Sequence, residues 1–309
     1  KAESAVVTSG CFSAMTLGLA GILTGLDPKK AEQLPHLDGS GMKSEVIIQK
    51  GHSIGYSQAL TNTGCKVVYV ETIADVEKAI NEKTALLWFL NVQSDKGAIT
   101  HEQWVALGKK YNIPTMIDIA ADVPPVSNLW KFNEMGFDLV CISGGKAMRG
   151  PQSAGLLMGK KNLIAAARLS MPPRGSTIGR GMKINKEEII GMYVALDHYL
   201  KYDHGKEWKE WENRIATINN AVKNIGGITT EIKVPTLGNV TPTLHVRWDN
   251  SKIKITTKEL QEKLRNGNPS IEIVGNEEGH ISITSWVMKA GEEKIVAKRL
   301  KEELSTVAV

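Results

Sequence analysis

The sequence predicts an α/β fold, with a mostly parallel sheet in a large domain and a small α+β domain after it. Short apolar segments of strand length alternate with amphipathic segments of helix length through the first half of the chain. This alternation is typical of parallel strands joined by right-handed helical crossovers. The chain has 309 residues, of which 42% are apolar and 23% charged, so it can bury a core in each of two domains. We expect residues 1–204 to form the large domain and residues 205–309 the small one.

The large domain is predicted to open with a strand at residues 5–8 and a helix at residues 11–25. This stretch carries no charge, which a membrane segment or a signal core would share, but its many Gly, Ser and Thr residues favour a buried helix. A polar loop follows. The remaining strands are predicted at residues 45–49, 66–70, 85–90, 114–118 and 139–143, and the helices at residues 74–81, 101–111 and 129–135.

The pattern changes after Lys186, where two long amphipathic helices are predicted at residues 187–202 and 207–223. Apolar side chains repeat at helical spacing in the second helix and indicate a core face, formed by Trp208, Trp211, Ile215 and Ile218. The small domain is then predicted to contain strands at residues 229–234, 243–248, 270–274 and 280–284, and helices at residues 257–265 and 291–304.

Composition argues against several classes of function. Cys11, Cys65 and Cys141 occur singly, which argues against a zinc site, any other metal centre of that kind and a disulfide framework, and it indicates a reduced, cytoplasmic protein. The net charge of +5 is spread along the chain without a basic block, so a nucleic-acid partner is not expected. Because the chain lacks an initiating Met and opens almost inside its first strand, we expect that residue 1 is not the natural start and that an upstream signal is an open alternative.

Two strand ends carry the chemistry. One apolar strand runs into Ser143-Gly-Gly-Lys146, and another ends on Asp118. A turn lysine is commonly a solvated charge and a strand-end aspartate a turn residue, but both lie where open α/β sheets bind ligands. Together they indicate pyridoxal phosphate (PLP), which needs a lysine for its aldehyde and an acid beside its pyridine nitrogen. The Ser143 hydroxyl is a candidate ligand for the cofactor phosphate.

Two further segments become candidate cofactor-binding sites once Lys146 and Asp118 are considered together. The turn from Ser9 through Gly10 and Cys11 to Phe12 joins a strand to a helix, so its amides suit a phosphate, although a simple tight turn would have the same pattern. His52 follows a strand at the same predicted edge. Its ring would stack on the pyridine face, or it is an ordinary histidine with its hydrogen bonds satisfied.

A glycine-rich basic segment follows the lysine strand. Arg149, Arg180 and Lys183 lie in it, and arginine is suited to paired hydrogen bonds with carboxylate or phosphate. The alternative is a solvated loop. We predict that these three cations bind the anionic end of the substrate.

These segments resemble the selenocysteine-synthase-like group of fold-type-I PLP enzymes, and most of all its D-glucosaminate-6-phosphate ammonia-lyase branch. The likeness covers nearly the whole chain and is carried by Gly10 with its helix, Gln49-Lys-Gly-His52, Asp118-Ile-Ala120, Ser143-Gly-Gly-Lys146 with Arg149-Gly-Pro-Gln, Gly179-Arg-Gly-Met-Lys183 and the segment from Ala290 to Arg299. Members of this group usually carry an N-terminal arm before the first of these segments. The chain as given has no such arm, nor the tRNA-binding domain of bacterial selenium transferases.

The resemblance implies an aspartate-aminotransferase-like fold and a homodimer or larger even-numbered oligomer. It implies that Lys146 forms the Schiff base, that Asp118 pairs with the pyridine nitrogen and that Ala120 lies against the ring. Ser143 and residues 9–12 would hold the phosphate. The implied activity is α,β-elimination from a small phosphorylated or carboxylated amino acid, which gives a 2-oxo acid and ammonia. Selenium transfer on seryl-tRNA, racemisation, aldol cleavage and a non-catalytic relative remain alternatives.

Overall fold

The protein is described by a computed structural model that covers residues 1–308, without the side chain of Asn276. The chain divides into two compact units. The large unit comprises Lys1–Lys201 together with Leu237–Asn239, and the small unit comprises Tyr202–Thr236 and the residues from Val240 onward.

A seven-stranded sheet forms the centre of the large unit. Its order is β1-β7-β6-β5-β4-β2-β3, where the strands are β1 (Ser4–Thr8), β2 (Glu45–Gln49), β3 (Lys66–Val70), β4 (Thr84–Leu90), β5 (Thr115–Asp118), β6 (Leu139–Ser143) and β7 (Gly155–Gly159). Strands β2 to β6 run parallel to one another, whereas β7 is antiparallel to both β6 and β1. The predicted mostly parallel sheet is therefore confirmed, with β7 as the strand that the pattern missed.

Helices cover this sheet. They are α1 (Gly10–Thr24), α2 (Pro28–Gln33), α3 (Gln58–Thr61), α4 (Ile73–Ala79), α5 (His101–Tyr111), α6 (Asn128–Met135), α7 (Lys161–Leu169) and α8 (Lys186–Lys201). Capping boxes at Thr72 and Thr100 begin α4 and α5, because each threonine accepts from the amide three residues on. Asn112, in the left-handed conformation, ends α5.

The uncharged helix α1 is buried in the large unit rather than exposed along its length. Its glycines allow close packing, since a Cβ on Gly21 would lie 2.5 Å from the backbone nitrogen of Ala167 in α7. Within residues 1–308, none of the helices combines the length and apolar character that crossing a membrane requires. The buried-helix interpretation of this segment is confirmed.

The small unit contains an antiparallel sheet against helices. Its elements are α9 (His204–Val222), β8 (Ile228–Lys233), β9 (Thr243–Trp248), α10 (Thr257–Arg265), β10 (Val274–Glu277), β11 (His280–Thr284) and α11 (Glu292–Thr306), with sheet order β10-β11-β9-β8. Alternate residues of β9 and β11, such as Leu244 and Ile281, pack with Ile215 and Ile218 of α9.

Two predictions for the small unit need correction. The strand predicted at residues 270–274 is wrong, because residues 270–273 lie outside any strand and β10 begins at Val274. Trp211, Ile215 and Ile218 lie in the core as predicted, but Trp208 is only half-buried. The Trp208 indole donates to Glu212 at 2.8 Å, so its polar edge faces the surface of α9.

Candidate active site

The carboxyl ends of β1, β4, β5 and β6 meet at one edge of the large sheet. β1 shares this edge because it is antiparallel to β7, and β7 is antiparallel to β6. Helix α1 begins directly after β1, so its amino terminus lies at the same edge. Open α/β sheets bind their ligands at such an edge.

Asp118 ends β5 and is 3% exposed. Its Oδ1 accepts from the Ala120 amide at 2.8 Å and from the Cys11 thiol at 3.4 Å. Burial raises the pKa of the Asp118 carboxyl, while its hydrogen bonds and the positive charge of Lys146 act in the opposite direction. Since no ion pair is formed with Asp118 among residues 1–308, this carboxylate suits a cationic partner such as a protonated ring nitrogen.

Lys146 lies half-buried in the loop after β6. The two glycines before it are needed for close packing: a Cβ on Gly144 would meet the Met192 sulfur at 2.2 Å, and a Cβ on Gly145 would meet Gln152 Cα at 2.6 Å. The Lys146 carbonyl accepts from the Arg149 amide at 2.8 Å, which closes the loop. The Lys146 charge lowers the pKa of Asp118, so the structure brings the predicted lysine and aspartate into one electrostatic cluster.

The amino terminus of α1 has no cap from its own side chains. Ser9 makes no capping bond and instead donates to the Ser13 hydroxyl at 3.0 Å, and no acidic residue lies in the first turn. Gly10 adopts a φ of +85°, which favours glycine. The first-turn amides, including those of Cys11 and Phe12, have no intrahelical acceptor and attract an anion.

Ser143 and β7 complete the surroundings of this helix terminus. Ser143 is half-buried at the end of β6 and pairs with Gly155 of β7. A Cβ on Gly155 would lie 2.7 Å from the Cys11 nitrogen, so β7 passes directly beside the first turn of α1. The structure therefore brings the predicted phosphate residues to the edge that holds Asp118.

The other predicted ring contacts differ from one another. Ala120 is half-buried beside Asp118, where its position against the ring stays a prediction. His52 is fully buried: it lies edge-on to Phe89 with ring centroids 4.5 Å apart, and its Nδ1 accepts from the Leu90 amide at 3.2 Å. Burial and the charge of His101 lower the pKa of His52 to about 4. The His52 Nε2 is buried without a hydrogen-bond partner within residues 1–308, and the stacking role of this ring stays a prediction.

The three predicted substrate cations differ from the buried Asp118 in their exposure. Arg149, Arg180 and Lys183 are exposed, and Arg180 donates to the Pro173 carbonyl at 3.1 Å. Within residues 1–308, neither Arg180 nor Lys183 forms a hydrogen bond or an ion pair with Asp118 or Lys146. Their role in substrate binding stays a prediction.

The sequence patterns missed two polar residues at this edge. Asn91 follows the fully buried strand β4, and its Oδ1 lies 2.7 Å from His101 Nε2. Asp122 is 2% exposed and accepts from the Gly238 amide at 3.2 Å. Burial, together with the negative charge of Asp118, raises the pKa of Asp122 to about 6. The signals were available: Asn91 directly follows an apolar strand, and Asp122 lies four residues after Asp118.

The residues at this edge fit pyridoxal phosphate. Asp118 is a buried carboxylate that forms no ion pair within residues 1–308, and the first turn of α1 offers amides for a phosphate. Lys146 is half-buried and its charge acts on Asp118. Each group of the cofactor therefore has a chemically matched partner on this chain.

Comparison with known proteins agrees with this fit. Residues 44–231 match the model of the family described as aminotransferase class-V. The chain is 27% identical to D-glucosaminate-6-phosphate ammonia lyase of Salmonella typhimurium, over 97% of this chain and 81% of that protein. It superposes on the solved structure of a D-glucosaminate-6-phosphate ammonia-lyase with a TM-score of 0.81 and 26% identity, over 99% of this chain and 82% of the other.

Two other relatives are named for different activities. The chain is 25% identical to 5'-C-glycyluridine monooxygenase-decarboxylase of a Streptomyces species, over 98% of this chain and 77% of that protein. It is 32% identical to an L-seryl-tRNA(Sec) selenium transferase of Mannheimia succiniciproducens, over 51% of this chain and 38% of that protein. From the match over more than half of its length and the fold that it shares, the chain belongs to the aminotransferase class-V family and is a PLP-dependent enzyme of fold type I.

Proposed function

We propose that this protein is an ammonia-lyase that acts on a small 2-amino-3-hydroxy acid carrying a second anionic group, such as a phosphorylated amino-sugar acid. The observation that carries the proposal is the cluster of Lys146, Asp118 and the uncapped amino terminus of α1 at one sheet edge. The likeness of almost the whole chain to D-glucosaminate-6-phosphate ammonia-lyase supports the substrate class.

The bound cofactor supplies an electron sink for the pair of electrons left when the Cα–H bond of the substrate breaks. Asp118 holds the proton on the ring nitrogen, since its buried carboxylate is ionised when a cation lies beside it. Ser143 and the first-turn amides of α1 would hold the phosphate and thereby orient the cofactor so that its ring nitrogen can pair with Asp118. These residues bind and orient, and they leave the proton transfers to another group.

Lys146 is the group that moves protons. Its amine takes the α-proton at Nζ and delivers a proton to the β-oxygen as the Cβ–O bond breaks, so water leaves. The released enamine tautomerises, adds water and loses ammonia, which yields the 2-oxo acid. One water is lost and one is regained, so the net products are a 2-oxo acid and ammonia.

We propose that Arg149, Arg180 and Lys183 bind the distal anion of the substrate. Their exposure is explained if they act across a subunit interface in a homodimer. Helix α8 supports such an interface, because it exposes a run of apolar side chains at Ile189, Ile190, Tyr193, Val194 and Leu200. Sedimentation of a fully active monomer would contradict this assembly.

The test is an assay for ammonia and 2-oxo acid over a panel of amino acids and phosphorylated amino-sugar acids. Turnover is expected only for 3-hydroxylated substrates, and it is expected to be most efficient for those with a distal anion. Arg180→Ala is expected to raise KM by roughly tenfold for these substrates, in line with the loss of one charged contact, with little change in cofactor affinity. If Arg180→Ala raised KM equally for charged and uncharged analogues, the basic segment would not bind the anionic end of the substrate.

Selenium transfer is the second candidate function, supported by the 32% identity to a selenium transferase over residues that include about half of this chain. It requires binding of a charged tRNA, which depends steeply on salt. A gel-shift titration of seryl-tRNA at several salt concentrations distinguishes the two activities. Tight, salt-dependent binding together with no ammonia release would favour the transferase.

The buried free thiols at Cys11, Cys65 and Cys141 agree with the cytoplasmic location that the sequence predicts, which stays a prediction.

A further inference from the structure

Asp122 is a second buried carboxylate at the edge that holds Asp118, and the proposed chemistry gives it no task. Its Oδ1 accepts from the Gly238 amide at 3.2 Å. Its Oδ2 is buried and has no hydrogen-bond partner within residues 1–308. Buried carboxylate oxygens are normally all satisfied, so an unpaired one calls for an explanation other than structural support.

The charges around Asp122 make its burial costly. Asp118, at the end of β5, contributes a negative charge, and Lys146, in the loop after β6, contributes a positive one. A second carboxylate beside Asp118 destabilises the protein without cofactor, but it attracts any cation that binds at this edge.

We propose that Asp122 is a positioning residue of the cofactor site, whose negative charge supplements that of Asp118 in favouring positive charge on the cofactor and on Lys146. This inference rests on the proposed function, because it requires that PLP binds at the Asp118 edge. It adds a role for the orphaned oxygen: a cationic ligand nearby stabilises the charge that the protein alone leaves unpaired.

The experiment compares Asp122→Asn with wild type in the PLP-loaded enzyme. The visible absorbance of the bound cofactor changes with pH, and the midpoint of this change reports the loss of a proton from the group formed by the cofactor and Lys146. This midpoint is expected to fall by roughly half to one pH unit in the variant, because the removed negative charge no longer favours the protonated form. The Kd for PLP is expected to rise by about tenfold or less. In the protein without cofactor, the same variant should raise the melting temperature at pH 8 and leave it unchanged at pH 4.

Asp138→Asn is the matched control, since Asp138 lies between the same two strands at the opposite end and is bonded to Thr115. It should not move the absorbance midpoint. If Asp122→Asn does not fold, Asp122→Ser replaces it, and the same shift is expected. An unchanged midpoint in a folded, loaded Asp122 variant would overturn the inference. Failure of wild type to bind PLP would instead overturn the proposed function, while the pH-dependent melting of the protein without cofactor would still report on the buried charge.

Discussion

Asp118 and Asp138 lie at opposite ends of the same pair of strands, β5 and β6, and their surroundings differ. The Asp138 carboxylate accepts from the Thr115 amide at 2.6 Å and from the Thr115 hydroxyl at 3.0 Å, and it pairs with Lys160 at 2.6 Å. Asp118 accepts from one amide and one thiol and has no ion pair within residues 1–308, although it is more deeply buried. The carboxylate at one end of the strand pair is therefore paired with a cation, and the carboxylate at the other end is not paired within residues 1–308.

The difference separates structural from functional carboxylates. A carboxylate that only supports the fold is expected to have its oxygens bonded, because an unpaired buried charge costs stability. At the carboxyl edge both Asp118 and Asp122 have raised pKa values, chiefly because of burial. A cofactor with a cationic ring would relieve both. At the opposite edge of the sheet, which holds the amino ends of β5 and β6 and is called the amino edge below, Lys160 already neutralises Asp138. A cationic ligand would therefore relieve no unpaired charge there.

The largest expected effect comes from Lys146→Ala, which should abolish turnover, since no other amine is expected to move the α-proton. Borohydride reduction of the loaded wild-type enzyme should fix the cofactor to the peptide that contains Lys146, as peptide mass spectrometry would show. The variant should bind PLP only reversibly, through its phosphate. Lys160→Ala at the amino edge is the control and should keep the label. Recovery of the label on a different lysine would contradict the assignment.

Next in size is Asp118→Asn, which should lower kcat by at least about 10²-fold, because a neutral amide cannot stabilise the protonated ring nitrogen. The affected step is removal of the α-proton, so the primary isotope effect with an α-deuterated substrate should grow. PLP should still bind. Equal turnover in the variant and wild type would mean that Asp118 only shapes the turn after β5, and the contrast with Asp138 would lose its functional meaning.

Much of this edge was predictable because its signals are local. Lys146 and Asp118 each follow an apolar strand directly, and parallel strands present their carboxyl ends at one edge whatever the packing around them. Strand β7 was missed because only three apolar residues, Leu156 to Met158, lie between its two glycines, which is too short a run to predict a strand. Helix α7, which begins at Lys161, was missed because its N-cap residue Lys160 makes no side-chain cap, so the helix lacks a start signal.

The remaining differences come from contacts distant in sequence. The burial of His52 depends on Phe89 and the Leu90 amide, which lie more than thirty residues away and are not visible in the Gln-Lys-Gly-His segment. The link from Asp122 to Gly238 spans 116 residues. Side-chain chemistry at strand ends can thus be predicted from the sequence, but whether a polar group there is paired or left unpaired depends on tertiary structure.

A third prediction concerns stability and pH at the carboxyl edge. The pKa of Asp122 is raised from 3.8 to about 6, so the folded protein binds this proton more tightly than the unfolded chain. The resulting penalty is absent below pH 3.8, grows as the pH rises and is complete above about pH 6, where it amounts to about 3 kcal/mol. Urea unfolding without cofactor should show Asp122→Asn more stable than wild type by an amount that increases from pH 4 to pH 7. A constant difference across this range would contradict the raised pKa.

The smallest expected effect comes from Asp138→Asn and has the opposite sign. Asparagine keeps one acceptor for the Thr115 amide but loses the charge that strengthens this bond and attracts Lys160. Lys160 is more than half exposed, so the ion pair itself contributes little, and the total loss should be about 1 kcal/mol of unfolding free energy at pH 7. Urea unfolding measures this loss, and the Kd for PLP should not change, because the amino edge does not bind the cofactor. If Asp138→Asn instead stabilised the protein at neutral pH, as we expect for Asp122→Asn, bonding at the two ends of the strand pair would not distinguish structural from functional carboxylates.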